Sequence, residues 1–509
     1  MKRLSWTKVD IVFLLFAAAF LYFNLFNIHA VPFFFEEDHL IFIQDAWRMS
    51  RGEHIYQNFV QFTFPGTQVL YLFLLKAIGN KFWIVNFVIF LQGMASVALC
   101  LAIAKNLLSN KWLALLPPSI FLFFGFRWFG LDGSHRLISP LFLYAAVLIL
   151  MAGRGRTRIA FAGACCALSS FVTQQRGVVG IFAIGVFLLI EAIRNRTSRK
   201  KWLLDEITLA GSFSLALVLF LSPFIYEAGL SKFLDYTIFQ LANYTQDPTA
   251  NYGAYQLLFE YFLSKGILAA LVTVFYYALI PLIYIVCLVF LWRREYSSET
   301  LLLCLLGITL VLGTIAPTPG RLFHVAIPAL IIFVWLLSKI NQFGSELWPK
   351  LGVITLVALG SVLALRNQIS WNTSDFNSPA GQIAFLSSEM RERYLWLGQH
   401  TRSGDFVFEV YQPAVNFVLQ TPNPTGVTFL LDTGATSEWQ VSQAIDDLKK
   451  TPPAFILWDG RWSKTASERT SADRLEPLYD HLRQYYVLER SFTPYSNRDI
   501  QVWKLNTSR

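Results

Sequence analysis

The sequence predicts a polytopic α-helical membrane protein of about eleven spans, ending in a small α/β domain on the outer side of the membrane. Three observations predict it. First, 55% of the 509 residues are hydrophobic and only 15% are charged, where a soluble domain carries about 25% charged residues. Second, apolar runs recur along the chain with basic residues in the short loops between them. Third, the character changes after residue 366, where polar and charged residues return and no further span follows. The mean hydropathy is +0.46. Phe (46), Tyr (20) and Trp (15) are abundant, as lipid-facing and interfacial positions require.

The net charge of +9 does not point to nucleic acid as a partner, because the excess sits in loops between spans. Cys100, Cys165, Cys166, Cys287 and Cys304 all fall inside apolar spans without metal-ligand spacing to His, and read as small buried hydrophobes.

In chain order, residues 9–28 form the first span. Lys2, Arg3 and Lys8 precede it, so it reads as an uncleaved signal anchor with the N-terminus in the cytoplasm. An outer loop, 29–81, follows. It holds Glu36-Glu37-Asp38-His39, a short amphipathic helix with Leu40, Ile43 and Trp47 on one face and Asp45 and Arg48 on another, then Pro65-Gly66 and a short apolar helix, 67–79, suited to the membrane surface. Further spans are read at 82–104, 112–126, 140–152, 159–173, 178–193, 207–226, 266–291, 300–316, 325–338 and 351–365. Lys105, Lys111, Arg154, Arg156, Arg158, Arg194, Arg196, Arg199, Lys200, Lys201, Arg293, Arg294, Lys339 and Lys350 then lie on the cytoplasmic side. Outer loops fall at 127–139, 174–177, 227–265 and 317–324. Two domains result: a transmembrane module, 1–366, and an outer α/β domain, 367–509. In the latter a helix-like run covers 380–400, strands fall at 407–411 and 454–458, helices at 439–450 and 472–484, and YYVLE and IQVWK close the chain as strands.

Four polar constellations break the apolar pattern, all on the expected outer side. Adjacent carboxylates at Glu36, Glu37 and Asp38, beside His39, repel one another near hydrocarbon and are tolerated where a cation or proton donor meets them. A solvated charged face is the plainer account of such a run. Asp132-Gly-Ser-His135-Arg136 sits in a short loop; a helix cap with snorkelling Arg would explain it, as would an acid joining the first cluster while Arg136 takes an anion. Arg176 follows Gln174-Gln175, and Arg321 and His324 follow Pro317 and Pro319. Arg127, Arg136, Arg176 and Arg321 run against the positive-inside trend, and guanidinium forks suit phosphate. The loop 227–265, with Tyr236, Asn243 and Tyr244, offers rings and amides of the kind that recognise sugars; an interfacial Tyr belt explains it equally well.

These residues resemble the GT-C superfamily of polytopic glycosyltransferases, in the branch of protein mannosyltransferases and bacterial aminoarabinose transferases. The pattern is an acidic pair after the first span, Glu37-Asp38, then Ala46-Trp-Arg-Met49-Ser-Arg-Gly52, Tyr56, Pro65 and the helix 67–79. Here Glu-Asp stands where Asp-Glu is usual. The second acidic loop maps to Asp132, and Arg321 resembles the family's ligand to the carrier phosphate.

The resemblance implies a GT-C fold and an inverting transfer from a polyprenyl-phosphate sugar donor to an acceptor hydroxyl on a glycan, lipid or protein. It implies a bacterial inner-membrane protein with a periplasmic or extracellular C-terminal domain. Glu37, Asp38 and Asp132 become the candidate catalytic acids, and Arg136, Arg176, Arg321 and His324 the candidate donor-phosphate ligands. His39, Tyr56, His135 and Tyr244 become candidate substrate contacts. No cofactor is required, although Glu37, Asp132 and His135 offer hard ligands for a divalent metal. Two other readings share the topology: a lipid-linked sugar flippase, which calls for charges within the spans, and a surface-polysaccharide polymerase or ligase, which calls for a larger central outer loop.

Overall fold

The structure is a computed structural model. It describes residues 6–507 except 241–265, 293–296, 316–317, 340–345, 371–373, 403, 412, 433–435, 464–473 and 496–497. All eleven apolar stretches contain helix. Among the described residues seven helices are long and apolar enough to cross a membrane: Lys8–Leu25, Trp83–Leu107, Lys111–Phe129, Gln174–Arg194, Arg199–Ala228, Ala270–Leu291 and Leu347–Ile369. Gly66–Ile78, His135–Met151, Ser298–Leu312 and Ile327–Ser338 are shorter apolar helices. Intrasegment hydrogen bonding is what makes a helix viable in hydrocarbon, so these runs have little choice of structure.

The chain divides into two compact units. One comprises Met1–Leu25, Val88–Ser222 and Thr249–Gln368; the other comprises Phe26–Phe87, Pro223–Pro248 and Ile369–Arg509.

The first unit is the helical bundle. Lipid gives apolar faces no reason to associate, so small residues and polar pairs do the joining. A Cβ on Gly177 would strike the Cys166 carbonyl and the Ser170 hydroxyl, and that absence lets helices Arg156–Val172 and Gln174–Arg194 touch backbone to side chain. Asn367 donates to Asn24 at 3.2 Å, tying Leu347–Ser370 to Lys8–Leu25. Glu191, buried, accepts from Ser298 at 3.0 Å and pairs with Arg154 and Arg194. Pro117 and Pro118 remove two helical donors, and the following turn, Ile120–Phe126, widens to a π-helix before the helix resumes at Arg127–Phe129.

The second unit joins the long loop after the first helix to the C-terminal α/β fold. A four-stranded sheet runs in the order Val407–Glu409, Phe455–Asp459, Arg498–Leu505, Tyr486–Tyr495, the first pair parallel and the rest antiparallel. Phe408, Ile456, Trp458 and Trp503 from the sheet pack with Val441, Leu448, Leu478 and Leu482 from helices Glu438–Lys450 and Glu476–Tyr485. A capping box, Ser437 with Gln440, starts the first of those helices.

The run 380–400 departs from the helix expected there. It opens as the second strand of a hairpin, Ser374–Ser378 with Gly381–Phe385, and turns helical only over Ser388–His400. Gly381, at φ +101°, closes the hairpin in a conformation open to glycine, and Ser387 caps the helix that follows.

Candidate functional site

The acidic segment lies within the second unit. Here the structure makes three neighbouring carboxylates unequal. The Glu36 side chain is buried, with Oε1 at 3.9 Å from the Arg393 guanidinium. Glu37 is exposed and Asp38 half-buried. Asp38 occupies the N-cap position of helix His39–Ser50 without capping it. Its carboxylate and that of Glu37 lie at the N-terminal end of that helix.

His39 and Tyr56 are fully buried. Tyr56 holds a positive φ of 66° and donates to the Thr63 carbonyl at 2.5 Å. Its ring meets Phe233 edge-on at 5.2 Å, and burial holds its hydroxyl well above the ordinary range. Tyr56 thus ties the loop together, and its hydroxyl is already engaged. Tyr244 lies outside the described residues.

A fourth carboxylate emerges that was read from sequence only as part of the helix's polar face. Asp45 is fully buried, and both Gln61, at 2.8 Å, and Gln68, at 3.4 Å, donate to its Oδ2. Oδ1 has no hydrogen-bond partner. Burial pushes its pKa up to about 7, against the opposing pull of the Gln61 hydrogen bond, Arg48 and Gln68. Two helical turns separate it from Asp38, so the seven-residue spacing was a usable signal. Arg48 is held separately, by Glu53 at 2.8 Å, the Thr425 carbonyl at 2.9 Å and the Phe59 ring at 4.6 Å.

The basic residues lie within the first unit. Asp132 is buried and shapes its own loop: Oδ2 accepts from the Ser134 hydroxyl at 2.6 Å and Oδ1 from the Ser134 amide at 3.1 Å. Ser134 in turn caps helix His135–Met151. Gln92 donates to the Asp132 carbonyl. Arg136 lies 3.5 Å from Asp132. Arg176, also buried, donates to the Arg136 carbonyl and to Ser139 at 3.1 Å. The Thr173 hydroxyl donates to the His135 carbonyl at 3.4 Å. Arg321 and His324 share the short helix Pro319–His324, which packs on His135–Met151; Arg321 donates to the Ile315 carbonyl at 2.8 Å.

Thus Asp132, His135, Arg136, Arg176, Arg321 and His324, drawn from three loops, form one neighbourhood. Burial, then Arg136 and Arg176, push His324 down to about 3 against the opposing effect of Asp132, so its imidazole is neutral near pH 7. The N-termini of helices His135–Met151 and Gln174–Arg194 open into this neighbourhood. Guanidiniums and positive helix ends together suit an anion with several oxygens. Among the described residues no three His, Cys, Asp or Glu side chains gather closely enough to hold a metal ion.

The class that this architecture defines is a bundle of apolar helices with a small C-terminal α/β fold. No family model and no curated protein matches the sequence. Among solved structures the chain is similar to ArnT from Cupriavidus metallidurans bound to undecaprenyl phosphate, with a TM-score of 0.61, 11% identity and 98% of each chain covered. It is equally similar to the apo state of that protein, with a TM-score of 0.60, 12% identity and 97% of each chain covered. At this identity the likeness is one of fold, and it bears out the GT-C resemblance at that level.

Proposed function

We propose that the protein is an inverting glycosyltransferase that moves a sugar from a polyprenyl-phosphate donor to an acceptor hydroxyl on the outer face of a bacterial inner membrane. The observation that carries this reading is the gathering of Arg136, Arg176 and Arg321 beside two helix N-termini, in a chain with the fold of a protein crystallised with undecaprenyl phosphate. Glu37 is the general base: it takes the proton of the acceptor hydroxyl as that oxygen attacks the anomeric carbon. The bond from that carbon to the phosphate oxygen breaks, and the polyprenyl phosphate leaves with the electron pair. Arg136, Arg176 and Arg321 stabilise the charge that develops on it. Neutral His324 offers one hydrogen bond and no charge. Asp38 and Asp132 position the acceptor and the cationic cluster, and His39, Tyr56, His135 and Tyr244 remain the candidate substrate contacts.

The test is Glu37→Gln in purified, lipid-reconstituted protein. Undecaprenyl-phosphate-linked pentose and hexose donors are offered, and release of undecaprenyl phosphate is followed. The variant keeps the fold and loses turnover. Turnover at the wild-type rate removes Glu37 from the role of base.

A further inference from the structure

The segment just before Glu37 is built into the C-terminal fold. Phe34 donates its amide to the Ala384 carbonyl at 3.0 Å, and Ala384 donates to the Pro32 carbonyl at 2.9 Å. Phe33 therefore makes an isolated parallel bridge to Ala384 on the second strand of the hairpin Ser374–Ser378/Gly381–Phe385. Asn86 secures the Phe33 carbonyl at 3.0 Å. Rings lock the joint: Phe34 meets Phe385 at 4.9 Å and Tyr394 at 5.4 Å, and Phe385 stacks on Tyr394 at 4.9 Å.

Arg393, next to Tyr394 on helix Ser388–His400, is 1% exposed. Its guanidinium lies 3.9 Å from Glu36 and 4.0 Å from Glu409, the last residue of the first strand in the main sheet. Glu409 is itself fixed, because its other oxygen accepts from the Val415 amide at 3.0 Å. Burial works against the charge on Arg393, but Tyr394, Glu409 and Glu36 more than offset it, and the guanidinium stays charged. A buried cation of this kind is costly without its counter-charges, so sheet, helix and loop are held at one point.

We infer that Arg393 is a positioning residue: by anchoring Glu36 to the C-terminal sheet it fixes the backbone of Glu37, which makes the C-terminal domain a working part of the acidic site. The inference deepens the proposed function and rests on it for the role of Glu37. The mechanism is short-range. Consecutive Cα atoms are about 3.8 Å apart across a rigid peptide, so a held Glu36 leaves Glu37 little backbone freedom.

The test uses the full chain in lipid nanodiscs with its five cysteines replaced, and a nitroxide attached through Glu37→Cys. A second label, through Lys449→Cys, reports the integrity of the domain. Arg393→Met loosens the label at 37 by about twofold or more in rotational rate and leaves the label at 449 unchanged. Arg393→Lys keeps the charge but not the fork, and falls between. A label at 37 that does not respond overturns the inference. If both labels loosen together, Glu36→Gln decides, since it leaves Arg393 with Glu409. Loosening confined to 37 then supports the inference, and an unmoved label at 37 overturns it.

In the unlabelled chain, Arg393→Met lowers kcat on the order of 100-fold, as a small displacement of a reacting group does, with the donor KM within about twofold. An unchanged kcat with a raised KM overturns it. A wild-type chain that turns over no polyprenyl-phosphate sugar removes the proposed activity, and the nitroxide result still stands or falls alone.

Discussion

Asp45→Asn should make the protein more stable at pH 8 and leave it unchanged at pH 4. The carboxyl is fully buried and sits at about 7 instead of its ordinary 3.8, chiefly because burial disfavours the ion. The direction follows from proton linkage. With the folded value above the unfolded one, the folded state binds more protons between about pH 4 and 7, so stability falls as pH rises through that window. Below it the penalty is absent, and above it the penalty is complete. At about 1.4 kcal/mol per pH unit, a window of about three units amounts to about 4 kcal/mol. Asparagine cannot ionise, and its carbonyl can accept from Gln61 and Gln68 as Oδ2 does now. Its amide replaces Oδ1, which already lacks a partner, so that exchange costs little more than the present arrangement. The assay is thermal unfolding of wild type and variant in the same detergent at pH 4, 6 and 8. The midpoint difference grows from near zero to about 4 °C across the series, at about 1 °C per kcal/mol for 509 residues. An equal destabilisation at all three values refutes the reasoning, because it means that an ionised Asp45 is bound to something that asparagine cannot replace.

Arg321→Ala lowers kcat/KM for the polyprenyl-phosphate donor on the order of 100-fold, as loss of one charge-stabilising donor does, and Arg321→Lys recovers part of it. Steady-state turnover over a range of donor concentrations checks both. His324→Gln leaves the shape of the pH–rate profile between pH 5 and 8 unchanged, because this imidazole titrates near 3; a lost acid limb in the variant contradicts that. Gly177→Ala drives a Cβ into the Cys166 carbonyl and Ser170. It lowers the unfolding midpoint and, since it displaces the neighbouring Arg176, raises the donor KM; an unaltered midpoint counts against the packing described.

The apolar stretches were legible because hydrocarbon leaves a backbone almost no alternative to helix. The strands at 407–409, 455–459, 486–495 and 498–505 were legible for a related reason: alternation and β-branched content have few other solutions. Over 380–385 the local pattern was ambiguous, and the outcome was set by pairing with 374–378 and 32–34, which no window of adjacent residues contains. The basic neighbourhood was half legible. Of the four arginines against the charge bias, Arg136, Arg176 and Arg321 collect there, but the partition of work among them did not show: Arg176 holds the Arg136 backbone, and Asp132 holds its own turn. Tyr56 shows a structural tie that the sequence did not reveal. A family pattern suggested a substrate contact, and the structure buries the ring and engages its hydroxyl with Thr63.

The acidic run shows why position in the fold decides chemistry. Read as a string, Glu36, Glu37, Asp38 and, two turns on, Asp45 are interchangeable carboxylates. Placed in the structure, Glu36 is committed to a buried guanidinium and Asp45 is sealed between two amides at a pKa near 7. Glu37 is left at a helix N-terminus, exposed, where a base needs an ionised group and access to a proton. A sequence with the same four acids but without Arg393 would lose the buried guanidinium beside Glu36, and that loop would be freer to turn outward. Glu37 would move with it. On this proposal the residue that positions Glu37, Arg393, lies in a different part of the chain from the acidic motif itself.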